Sequence, residues 1–109
     1  MAELGDSMDT QLEVETATDP AGQPVIRVAG DLDIANVERL RSAVDAAMAK
    51  HPERLTFDVS ALRFMDSAGI AVLLGAASNV SSVRLHSPSP SVRRVVELTG
   101  LSEVLVVEP

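Results

Sequence analysis

Asp66, Ser67 and Gly69 lie together between an apolar run with strand character, Leu55 to Val59, and one with helix character, Ile70 to Ala77. A hydroxyl beside a carboxylate is open to two chemistries, nucleophilic catalysis and acceptance of a phosphoryl group. The first needs a base and an oxyanion site. No G-x-S-x-G pattern surrounds Ser67, and His51 and His86 fall at a helix end and a strand end with no motif tying them to it. A hydrolase is therefore disfavoured. The second chemistry needs only exposure and tolerance of added charge. A serine where a helix begins lies near N–H groups that the first turn leaves unpaired, and these favour an anion. Position alone does not decide the matter, because serine and aspartate also begin helices simply as caps.

Other chemistries are poorly provided for. Asp31 and Asp33 make a D-x-D pair but lack the further ligands and the glycine of a calcium loop. Gly69 stands alone and Gly75 falls inside the second helical run, so no phosphate-cradling glycine loop is present. No metal and no cofactor is expected, and the protein is expected not to be an enzyme.

The elements that must carry these residues are legible from hydrophobic period. Leu12, Val14 and Thr16 alternate with Glu13 and Glu15, a strand with one wet face, and Asp19-Pro20-Ala21-Gly22 is a turn leading to a second strand, Pro24 to Ala29, ended by Gly30-Asp31. The pair forms a hairpin. Asn36 is placed to cap a helix running to about Lys50, with Val37, Leu40, Val44, Ala47 and Met48 on one face, and His51-Pro52 ends it. Leu55, Phe57 and Val59 make a third strand. A helix over about Asp66 to Ser78 is so apolar that burial on most sides is expected. Val83 and Leu85 mark a fourth strand, Ser91 to Thr99 a third helix closed by Gly100, and Val104 to Val107 a last strand. The order ββαβαβαβ predicts an α/β fold with a mostly parallel sheet and helices as crossovers.

Composition bounds the rest. A chain of 109 residues with 46% apolar content has room for one domain, residues 1–109 with a core over about 12–107. Phe57 and Phe64 are its only aromatic residues, which argues against stacking on bases. The net charge of -7 disfavours direct nucleic-acid binding and attraction to anionic membrane. Cysteine is absent, so there is no disulfide framework and no thiolate chemistry. The start, MAELGDSMDT, has neither the basic nor the apolar region of a signal peptide, and Ile70 to Ala77 is far shorter than the roughly 20 residues a bilayer needs. A cytoplasmic protein, monomeric when free, is expected.

Three segments, VIRVAGDLD (Val25 to Asp33), LTFDVSALRFMDSAGIAVLLGA (Leu55 to Ala76) and SPSVRRVVELTGL (Ser89 to Leu101), resemble in order and spacing the bacterial anti-sigma-factor antagonists, which are single STAS domains. FMDSAGI is the most specific of them. The resemblance implies the STAS fold. It also implies that Ser67 is phosphorylated by a partner that is both anti-sigma factor and serine kinase. In that cycle the unphosphorylated antagonist binds the anti-sigma factor and frees the sigma factor, phosphorylation breaks the contact, and a PPM-type phosphatase restores it. Asp66 matches the acidic residue that positions the serine, and Gly30, Asp31 and Asp33 match the family's G-[DE]-L-D loop at the docking surface, completed by Met65, Gly69 and Ile70. Ala68 stands where relatives often carry a second hydroxyl, so Ser67 is the sole acceptor in the motif. The alternative is a stand-alone STAS subunit of a scaffold or transport complex that phosphorylation does not regulate.

Overall fold

The computed structural model describes residues 12–109. Five strands form one sheet in sequence order: β1 (Leu12–Thr18), β2 (Pro24–Leu32), β3 (Arg54–Met65), β4 (Ser82–His86) and β5 (Val106–Glu108). β1 pairs antiparallel with β2 and every later neighbour is parallel. Three helices join the parallel strands: α1 (Val37–Met48), α2 (Ser67–Asn79) and α3 (Pro90–Leu98). This is the expected α/β architecture with its N-terminal hairpin. Among the described residues no helix is long and apolar enough to cross a membrane.

Strands laid down in order by crossovers of one hand put every helix on the same side. Burial follows that rule. Leu12, Ile26, Val28, Leu55, Phe57, Val59, Val83 and Leu85 are buried beneath Leu40 and Val44 of α1, Val72 and Leu73 of α2, and Val92 and Val96 of α3. The opposite face stays wet. Across it, register aligns Glu15, Arg27, Asp58, His86 and Glu108, one residue from each strand. Arg27 lies 3.9 Å from Glu15, and His86 Nδ1 lies 3.1 Å from Glu108. Opposite charges side by side on neighbouring strands let this face remain exposed without repelling itself.

One-sided packing corrects the reading of the second helix. Its apolar sequence predicts burial on most sides, yet only Gly69, Val72, Leu73 and Ala76 are buried, and Leu74 is 48% exposed. With no layer outside the helices, the outer surface of α2 meets solvent whatever its composition. The C-terminal ends of β2 and β3 also differ: β2 runs on to Leu32 and β3 to Met65, past Gly30-Asp31 and Val59 respectively. The last strand begins later, at Val106, because Leu101–Glu103 form a 3-10 turn after Gly100 takes φ +79° beyond α3.

The hairpin turn is fastened by Asp19. Its Oδ1 accepts from the Ala21 and Gln23 N–H groups at 2.8 and 3.0 Å, while Oδ2 lies 2.6 Å from the Arg54 guanidinium. The Arg54 hydrogen bond first, and the Gln23 N–H second, hold the Asp19 carboxyl below the usual carboxylate range. A lowered folded-state pKa contributes stability above the unfolded value of about 3.9, and that contribution is lost as pH falls through the folded value. Asp19→Asn is therefore expected to be less stable than the parent at pH 7, with the gap closing below about pH 4. Urea unfolding of both proteins across this range checks it; a gap that persists unchanged in acid would contradict the charge-based account.

Candidate functional site

The edge of β3 nearest α2 is built by two irregularities. Arg27↔Asp58 is followed by Ala29↔Ala61, and Gly30↔Leu62 by Asp31↔Phe64, so β3 takes up one extra residue at each step. At the first, the Ser60 N–H and Oγ donate to Asp58 Oδ1 at 3.0 and 2.8 Å, a local turn within the strand. At the second, Gly30 has φ +99°, a conformation that a Cβ would strain. Bulges of this kind re-aim the side chains that follow them. They also break the period-2 alternation, which is why the strand pattern fades after Val59 although pairing continues to Met65.

Asp66 is delivered at the end of this strand in extended conformation and caps α2, its Oδ1 accepting from the Ala68 N–H at 2.9 Å. Its second oxygen, Oδ2, accepts from the Ile34 N–H at 3.3 Å in the loop between β2 and α1. The capping role that the position of Ser67 suggested thus belongs to Asp66, and Ser67 is the first residue inside the helix. Ser67 is exposed, and among the described residues its hydroxyl has no hydrogen-bond partner. Neither histidine touches it. His86 faces Glu108 on β5, and His51 follows α1.

The Asp31–Asn36 loop is held against this point. Asn36 occupies the cap position of α1 but its side chain makes no cap: Oδ1 accepts from the Asp33 N–H at 2.9 Å and Nδ2 donates to the Asp31 carbonyl at 2.9 Å. Asp33 Oδ1 accepts from the Ala35 N–H at 3.0 Å. Asp31 pairs with Arg63, Oδ1 to Nε at 3.3 Å. The carboxylates of Asp31, Asp33 and Asp66 are therefore each engaged, two with backbone N–H groups and one with a guanidinium. Arg63 was not singled out by spacing, since a charged residue late in a strand reads as one more wet position.

Three further residues divide differently from expectation. Met65 is 4% exposed and Gly69 is buried, so neither lies on the surface beside Ser67. A Cβ on Gly69 would fall 2.6 Å from Met65 Cγ and 2.7 Å from Leu32 Cδ2, so the glycine lets the first turn of α2 settle onto the strand ends. Ile70 is half-buried against the core. The apolar side chains that face solvent near the loop and strand end are Ile34, 79% exposed, and Phe64, 51% exposed. Alternation carried on from Val59 already puts Phe64 outside, because the two extra residues of β3 cancel; it is Leu62, between them, whose face the bulges change.

Known proteins share this fold and sequence pattern. A family model described as "Mlab, STAS domain" matches residues 16–108. An anti-sigma F factor antagonist of Lysinibacillus sphaericus is 34% identical over 82 residues, covering 71% of this chain and 70% of its own. A crystal structure of an anti-sigma factor antagonist from Mycobacterium paratuberculosis superposes with a TM-score of 0.83 at 27% identity, covering 90% of this chain and 86% of that one. SpoIIAA, an anti-sigma factor antagonist, is similar in two solved states. Its unphosphorylated form gives a TM-score of 0.75 at 27% identity with 87% of each chain covered. The phosphorylated form from Bacillus gives 0.69 at 26% identity, covering 87% of this chain and 90% of that one.

The double role of the Asp66 carboxylate has a measurable consequence. Asp66→Ala is expected to destabilise the fold by about 1 to 2 kcal/mol through loss of the cap. Asp66→Asn keeps an acceptor oxygen and should recover at least half of that loss. Denaturant unfolding of the three proteins decides it, and equal losses in both variants would show that charge, not capping geometry, is what matters.

Proposed function

The chain belongs to the family of STAS-domain anti-sigma-factor antagonists, and from that membership we propose that it binds an anti-sigma factor through the face around Ser67 and that phosphorylation of Ser67 ends the contact. Its relatives are regulatory binding proteins rather than enzymes. In this reading Ser67 is a substrate residue. The partner is both anti-sigma factor and serine kinase, and a PPM-type phosphatase resets the cycle. The antagonist itself is monomeric when free and acts in the cytoplasm.

One observation carries the proposal: an exposed hydroxyl on the first residue of α2, without a partner among the described residues, beside a carboxylate that already caps the helix. Because Asp66 and not Ser67 provides the cap, modification of Ser67 removes no hydrogen bond from the fold. A phosphoserine adds about -1.5 to -2 charges, which the N-terminal end of the helix dipole and its free N–H groups offset. SpoIIAA, solved with and without phosphate, supports the view that a fold of this kind accommodates the group. The cost then falls on the interface, where a partner fitted to a neutral hydroxyl would have to desolvate a dianion. Gly30, Asp31, Asp33 and Ile70 contribute to the docking surface, with Met65 and Gly69 supporting it from beneath. Ile34 and Phe64 supply exposed apolar area beside it.

Incubation with the cognate kinase and ATP, followed by intact mass and site mapping, tests the assignment. A single phosphate on Ser67 is expected; clean modification elsewhere with Ser67 untouched would refute it. Ser67→Ala should bind the anti-sigma factor whether or not ATP is present. Ser67→Asp should bind at least a hundred-fold more weakly, about 2.8 kcal/mol. Far-UV circular dichroism should not change on phosphorylation, and a loss of helix would mean that the switch works by unfolding. Tight binding with no phosphorylation at all would favour the unregulated scaffold or transport subunit.

A further inference from the structure

A cleft of about 370 Å3 opens at the end of the sheet far from Ser67, between the β1–β2 hairpin and the last turn of α1. It arises from a mismatch of lengths. Thr16 and Thr18 continue the alternation of Leu12 and Val14 and so lie on the helix-bearing face, but α1 ends at Met48 and leaves them uncovered. Pro24, Ala46, Ala47 and Pro52 add apolar lining.

The walls are tied together independently of any occupant. Asp19 holds Arg54 at 2.6 Å, and Gln23 Oε1 accepts from the Glu53 and Arg54 N–H groups, both at 3.0 Å. Since both of those partners are donors, the orientation of the Gln23 amide is settled: oxygen toward β3, nitrogen away from it. Among the described residues Nε2 has no partner, so two oriented N–H groups remain on a residue that lines the cleft.

A lysine and a histidine join them. Lys50 and His51 line the same cleft, and the last carbonyls of α1, on Ala47 and Met48, already accept from the Lys50 and His51 N–H groups. His51 has φ +52°, a left-handed conformation that glycine adopts without penalty and a residue with a Cβ does not. Glycine would close the helix with less strain; histidine instead brings an imidazole to the cleft, and strain of this sort gathers at binding sites. Glu53 is the one carboxylate on the lining. Donors outnumber it, and the volume suits a small molecule.

We propose that this cleft binds a small organic anion, its carboxylate or phosphate held by Lys50, His51 and the Gln23 amide nitrogen, and its apolar body resting on Pro24, Ala46 and Ala47. The site is separate from the Ser67 face and does not depend on the function assigned there.

Nuclear magnetic resonance titration of the full chain with benzoate, phenyl phosphate, inorganic phosphate and benzyl alcohol tests it. Benzoate or phenyl phosphate should give saturable shifts at Thr16, Gln23 and Lys50, and the stronger of the two identifies the head group. Inorganic phosphate, which lacks the apolar body, and benzyl alcohol, which lacks the charge, should each bind about ten-fold more weakly or worse. Lys50→Ala should weaken binding about ten-fold. His51→Gly should weaken it similarly while raising the thermal midpoint, since the strain is relieved; lost binding in a more stable protein is not what a purely structural histidine would give. Absence of saturable shifts with both organic anions up to tens of millimolar, shifts confined to the start of α2, or unchanged affinity in both variants would overturn the proposal.

Discussion

Asp66 accepts hydrogen bonds from two backbone N–H groups that belong to different parts of the fold, Ala68 in the first turn of α2 and Ile34 in the loop before α1. A carboxylate has enough acceptor sites for both, and no neutral cap of the same length offers two equivalent oxygens. The start of α2 and the Asp31–Asn36 loop are thereby held to one point. Ser67 gains its character from that arrangement. With its neighbour doing the capping, the serine is left at the head of the helix with a hydroxyl that no other described residue engages.

What holds Asp66 in place lies beneath it. Gly69 lets α2 approach Leu32 and Met65 more closely than any side chain would permit, and the two bulges in β3 carry the strand far enough to deliver the aspartate at that height. Partial burial opposes ionisation of Asp58 at the first bulge, yet hydrogen bonds from Ser60 and attraction by His86 and Arg27 leave its carboxyl below the ordinary range. The surface site and the sheet are therefore mechanically one object. Its electrostatics are milder than a count of aspartates suggests, because Arg63 already faces Asp31 and backbone N–H groups occupy Asp33 and Asp66. On the proposed switch, the phosphate meets a helix start able to tolerate it, and the discrimination rests with the partner surface.

Local patterns were reliable wherever one physical rule acted alone. The hairpin, the crossover helices and the order of elements follow from period and punctuation, since Asp19-Pro20-Ala21-Gly22 and His51-Pro52 have few other conformations open to them. Patterns failed where two rules competed. Asn36 sits where a cap belongs but spends its amide on the Asp33 N–H and the Asp31 carbonyl. The family resemblance implied that Met65 completes the docking surface, whereas its side chain is buried in the core and it is Phe64 beside it that faces solvent.

The sequence by itself determined the fold class, the topology and the one hydroxyl worth following, because hydrophobic period and turn chemistry act over a few residues and Ser67 has no second hydroxyl beside it in the motif. Only the tertiary structure decided which neighbour caps α2, which faces of β3 and α2 meet water, and how Lys50, His51 and Gln23 come to share a cleft. Each of these depends on groups distant in sequence, or on inserted residues that shift which side chains between them face the core. No local window contains that information.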